Sequence, residues 1–216
     1  MATKTLVVQE YKNDRDRLSP NHYNLQVAKS VASSNGDPQF NVVYSSQILG
    51  PNMTISWTPK YGLNWTQNIP NQSAKVTYSG EWQDCALGDT YDLDSTGSWV
   101  KINGYKDADP EALNISKNGY GLDVNVIVGI YDPASSKWIF VNPDQLLTGA
   151  RGKYKPLDNV RLWFEEGIRE ETMLSSQSTM EHKDDMSKSL RYFHYDTEGR
   201  KWESQDSPFV PPRGDE

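Results

Sequence analysis

Residues 55–65 read Ile-Ser-Trp-Thr-Pro-Lys-Tyr-Gly-Leu-Asn-Trp and set Trp57, Tyr61 and Trp65 around a Pro-Lys-Tyr-Gly turn, with Asn64 beside them. Aromatic rings next to amides suit a sugar. The apolar face of a pyranose stacks on a ring, and amide groups bond its hydroxyls. Trp82 and Trp99 flank a polar segment and extend the same set. The expected ligand site is therefore Trp57, Tyr61, Asn64, Trp65, Trp82 and Trp99. The plainer reading makes Trp57 and Trp65 core residues at the two ends of a loop, since tryptophan is mostly buried in folded proteins.

A second chemistry centres on His194, in the strand-like run Leu-Arg-Tyr-Phe-His-Tyr at 190–195. Alternation puts His194 on one face with Tyr192, opposite Phe193 and Tyr195. If that face lines a cavity between sheets, His194 serves as a general acid or base, with Glu165 as its counterpart and Tyr192 assisting. The reaction class would be isomerase, cyclase or hydrolase. Glu165 and Glu166 point to opposite sides of a strand and form no acid/base pair by themselves. Arg161 and Glu165 share a face, which makes an ordinary ion pair the simpler expectation.

Metal chemistry has weaker support. Asp89, Asp92 and Asp94 repeat hard oxygen ligands ahead of Gly97, but the helix–loop–helix calcium template needs Glu at the twelfth position, where Asn103 stands. A hairpin turn explains that stretch without an ion. His22, His182 and His194 show no zinc-ligand spacing. No phosphate loop, dinucleotide fingerprint or nucleophile elbow occurs. No cofactor is expected. Cys85 is the one cysteine, read as a small buried residue. The tripeptide Arg213-Gly-Asp215 is read as incidental.

Positioning these residues falls to short segments of β-branched and aromatic residues broken by Gly, Pro, Asn and Asp. Residues 122–131 carry Val124, Val126, Val128 and Ile130 at every second position, a strand with one shared face. A turn at 132–136 and a return strand at 137–141 follow. Further hairpins are expected at 189–203, around Asp196-Thr-Glu-Gly, and at 90–101. Strands are expected at 40–46, 52–58 and 74–79. Two short helices are expected, at 109–117 and 142–147, each opened by a proline at its first turn. Residues 175–188 read as a long mobile loop.

The predicted fold is all-β, an antiparallel β-sandwich (jelly-roll or lectin-like) forming a single domain over 1–206. The proline-rich stretch 207–216 is a disordered or draped tail. With 216 residues, seven Trp, twelve Tyr and 36% hydrophobic side chains, the chain has the material for a core. A formal charge of −7 and the lack of a basic run exclude nucleic acid and anionic membrane surfaces as partners. The apolar stretch 6–8 is too short for an export signal and no window is long enough to span a bilayer, so a cytoplasmic location is expected. Three functions follow in order: a lectin-like carbohydrate-binding protein, a small-molecule enzyme using His194 and Glu165, and a homo-oligomeric structural or storage protein.

Overall fold

A computed structural model describes residues 2–34, 36–69, 71–130, 137–167, 169–174 and 180–211. The chain runs β1 (Lys4–Gln9), α1 (Lys12–Leu18), a 3-10 turn (Ser19–Asn21), β2 (Tyr23–Ser33), β3 (Val43–Ile48), β4 (Asn52–Trp57) and β5 (Tyr61–Thr66). It continues through β6 (Gln83–Cys85), β7 (Thr90–Leu93), β8 (Trp99–Ile102), β9 (Leu113–Asn118), β10 (Asn125–Ile130) and β11 (Lys137–Val141). The last strands are β12 (Gly152–Glu166), β13 (His182–Asp184), β14 (Leu190–Asp196) and β15 (Lys201–Gln205). The fold is all-β and sandwich-like. No helix among the described residues is long and apolar enough to cross a membrane.

The strands form three sheets, ordered β15-β14-β1-β4, β11-β10-β5-β6 and β3-β2-β12-β9-β7-β8, with β13 paired to β12. Strand β4 shows how sequence sets sidedness: Met53, Ile55 and Trp57 are buried while Asn52, Thr54 and Ser56 face water. Strand β10 is buried along its whole length. Val124, Val126, Val128 and Ile130 join the main core, whereas Ile127 turns the other way, towards Val42, Val76 and Trp138. The main core draws Leu6 and Val8 from β1, Leu25 and Val27 from β2, Leu63 from β5 and Phe193 from β14. Burying side chains of this kind stabilises the fold by about 1.5–3 kcal/mol each. Gly129 is required on β10, because a Cβ there would lie 2.6 Å from the Trp82 ring and 2.9 Å from the Lys137 carbonyl.

Several expected elements differ. Residues 109–117 form a turn and then β9, not a helix: Asp109 Oδ1 accepts from the Glu111 amide (2.9 Å), and Leu113 and Ile115 pair with the strands on either side. Residues 142–147 are likewise a turn, where Asn142 Oδ1 accepts from the Asp144 amide at 3.3 Å. In both places the side chain before proline closes a local turn, and the chain does not go on into helix after it. The helix instead lies at 12–18, where only Asp14 and Leu18 are buried. Residues 74–79 form no strand, only a bridge at Lys75 to Thr172. The sheets are not wholly antiparallel, since β1 with β14 and β7 with β9 run parallel. Within the expected mobile loop, β13 pairs with β12 and Met186 is fully buried. The turn at 132–136, residues 175–179 and the tail beyond 211, with its Arg-Gly-Asp, lie outside the described residues.

Candidate functional site

The sheets draw the expected aromatic platform inward. Trp57, Tyr61, Asn64, Trp65 and Trp99 are all buried, and Trp82 is half-buried. Tyr61, Asn64 and Trp65 lie on strand β5, covered on both faces from Tyr61 to Thr66, while Trp57 and Trp99 lie at buried positions of β4 and β8. Trp65 donates its Nε1 proton to the Gly97 carbonyl (2.9 Å) and packs 4.6 Å from the Tyr120 ring. Gly97 holds φ +83°, and a Cβ would meet the Trp65 ring at 2.8 Å, so glycine is needed on two counts. Asn64 donates to the Gly80 carbonyl (3.1 Å) and accepts from the Trp65 amide (2.8 Å). Trp57 lies under the Lys29 ammonium at 3.9 Å. Stacking needs an open ring face, and these rings spend theirs on the core.

The three aspartates do not converge. Asp89 pairs with Lys101 (2.7 Å), Asp92 accepts from Ser116, and Asp94 Oδ1 accepts from the Thr96 and Ser98 amides (2.8 and 3.0 Å). Each carboxylate serves its own turn or strand pair. His194 also has different neighbours from those expected. Glu165 accepts from Trp163 Nε1 (2.9 Å) on β12, and Arg161 turns to Glu181. Tyr192 stays half-buried on β14. The carboxylates that gather at His194 are Glu10 and Asp14.

Three adjoining clefts provide a different surface, lined by residues from the stretches 33–34, 36–39, 67–69, 105–107, 114–115 and 142–154 and by Asn125. Their volumes are 590, 460 and 390 Å³. The first and second share Asp144, Gln145 and Leu147; the second and third share Ser34, Arg151 and Gly152. They therefore form one groove. Its floor is held by buried amides. Asn142 donates to the Tyr154 hydroxyl (3.0 Å), and Asn125 donates to the Asn142 carbonyl (2.9 Å). Burial raises the Tyr154 phenol above its ordinary pKa and keeps it neutral. Across the loop, the Lys153 amide donates to Ser34 Oγ at 2.8 Å. On the rim, Gln39, Gln67, Asn68, Asp144 and Gln145 are exposed. Arg151 reaches Asp107 (3.4 Å) and sits 5.9 Å from the Tyr105 ring. A fourth cleft of 490 Å³ touches Tyr61, Asp89 and Cys85, where burial pushes the thiol up to about 12.

Apart from the groove, Glu10, Asp14 and His194 are buried together, with one ligand atom of each within 4.8 Å of the others. His194 Nδ1 lies 2.9 Å from the Gln9 carbonyl and 3.6 Å from Glu10 Oε2; its Nε2 lies 3.6 Å from Asp14 Oδ2. Burial raises the Glu10 carboxyl to about 9. None of the four clefts is lined by His194.

Comparison with protein-family profiles, characterised proteins and solved structures finds no match to this chain. The groove is not legible in the sequence because its residues come from separate loops and strand ends between 33 and 154, each unremarkable alone. Glu10 and Asp14 carried no such signal either, since Glu10 lies before the helix, in the link between β1 and α1, and only the fold brings it to Asp14.

Proposed function

We propose that this chain is a non-catalytic carbohydrate-binding protein whose ligand lies along the groove from Gln67 to Lys153. The observation carrying this reading is the adjoining of three clefts through shared lining residues, two of mixed polar character and a third more apolar, because a chain of sugar units needs consecutive subsites. Amide, hydroxyl and carboxylate groups on the rim supply the donors and acceptors that sugar hydroxyls require. Leu147 and Tyr105 supply apolar contact, and the anchored floor keeps the groove preformed, which lowers the ordering cost of binding. The ligand is an oligosaccharide rather than a single sugar. The free thiol of Cys85 and the acidic composition suit a lectin-like protein of the reducing cytoplasm.

A broad glycan panel followed by calorimetry tests the reading. Affinity should rise with the number of sugar units, and Gln145→Ala and Arg151→Ala should each weaken binding about tenfold, equivalent to about 1.4 kcal/mol. Absence of binding across the panel, or binding indifferent to both substitutions, overturns it.

A further inference from the structure

The N-terminal and C-terminal strands meet in parallel, β1 beside β14. That pairing carries Glu10 and Asp14, just past β1, against His194 on β14. The two carboxylates are held in the same way. Glu10 Oε1 accepts from the Tyr195 amide (2.9 Å), and Asp14 Oδ1 accepts from the Thr197 amide (3.0 Å) and its hydroxyl (2.5 Å). In each case the second oxygen is left towards the imidazole. Among the described residues Glu10 Oε2 is fully buried and has no hydrogen-bond partner. A buried oxygen without a partner is costly, and a cation facing it would supply one. Arg15, on the same helix, leaves its buried Nε without a partner as well and so bonds neither carboxylate through that atom.

We propose that Glu10 Oε2, Asp14 Oδ2 and His194 Nε2 bind one borderline divalent cation, with Zn²⁺ the best fit. Ligand atoms on a single zinc bound at about 2.0–2.2 Å stand about 3–4 Å apart; Asp14 Oδ2 already lies 3.6 Å from Nε2, while Glu10 Oε2, which faces Nδ1 at 3.6 Å, has to rotate towards the Nε2 side. One imidazole nitrogen with two carboxylate oxygens favours a cation that accepts both nitrogen and oxygen, against calcium or magnesium, which take oxygen alone. The outer contacts are those a metal site needs. The Gln9 carbonyl takes the Nδ1 proton and turns the Nε2 lone pair inward, and Tyr195 and Thr197 orient the carboxylates. Tyr11 and Phe209 close the site, with ring centroids 4.2 and 5.6 Å from the imidazole. The Phe209 amide is tied to Gln9 Oε1 (2.7 Å), and the Tyr11 hydroxyl to the Val210 carbonyl (3.2 Å).

The test uses the full chain, treated with chelator and then titrated with Co²⁺ and Zn²⁺. One equivalent of Co²⁺ should give visible absorption bands that Zn²⁺ removes. Asp14→Asn and His194→Gln should each lower affinity about 100-fold or more. A readout on the unmodified chain does not depend on how the variants fold: Zn²⁺ should move the Nε2 nitrogen resonance of His194 and leave those of His22 and His182 in place. No uptake, an unmoved His194 resonance, or undiminished affinity in a folded variant would each overturn the site.

Discussion

Two regions bury ionisable groups, and they treat them differently. At His194, a parallel strand pair brings an imidazole and two carboxylates together, and backbone amides hold one oxygen of each acid. At Lys29, on β2, a fully buried ammonium sits over Trp57, and among the described residues its Nζ has no hydrogen-bond partner. The nearest carboxylate, Asp158, pairs with Lys4 at 3.4 Å instead. It lies where β12 loses register against β2, between Pro156 and Val160. Burial lowers Lys29 to about 7. The difference teaches that burial alone does not make a site. Convergent acceptors and donors do, and the topology must deliver them.

The largest effect should come from Lys29. Its pKa falls from 10.5 to about 7 on folding, so between those values the unfolded chain binds the extra proton. The Lys29 contribution to stability therefore rises with pH across that window and is lowest below about 7, a swing of about 5 kcal/mol for a shift of this size, while Glu10, raised from 4.5 to about 9, works in the opposite direction as pH climbs to about 9. Lys29→Met keeps the volume and removes the charge. Denaturant melts should show it more stable than the parent at pH 6, with the slope between pH 7 and 10.5 flattened. An unchanged slope would mean that Lys29 finds a partner, and the contrast would fall.

Asp14→Ala attacks the other region. It strips the acceptor from the Thr197 amide and hydroxyl and should cost about 3 kcal/mol by chemical denaturation, because it breaks a buried polar network. A loss under 1 kcal/mol would show that the network holds little. Thr197→Val leaves the backbone bond and removes the hydroxyl one, so its expected cost is about 1 kcal/mol, with zinc affinity reduced about tenfold. Arg151→Ala, in the groove, breaks only an exposed pair. Its melting should match the parent within about 0.5 kcal/mol while glycan affinity falls.

Legibility followed the range of the interaction. The hairpin at 189–203 could be read because Asp196 closes its own turn, accepting from the Glu198 and Gly199 amides at 3.0 and 2.9 Å. Val124, Val126, Val128 and Ile130 could be read because alternation is a property of one strand. Trp57 and Trp65 could not be placed: whether a ring faces water depends on what covers its strand, and distant segments bury one face of β4 at Trp57 and both faces of β5 at Trp65. Helix α1 escaped notice because its seven residues carry Leu18 as the one large apolar side chain.

The amino-acid sequence alone determined an all-β chain with short strands, their sidedness and several turns, since each depends on neighbours a few positions away. Tertiary structure decided the burial of the tryptophans, the meeting of Glu10 with His194 and the joining of separate loops and strand ends into a groove. Those outcomes require contacts between residues as much as 185 positions apart. Local preferences carry no information about which distant strands will pair, because that choice is made by burial of the whole set at once.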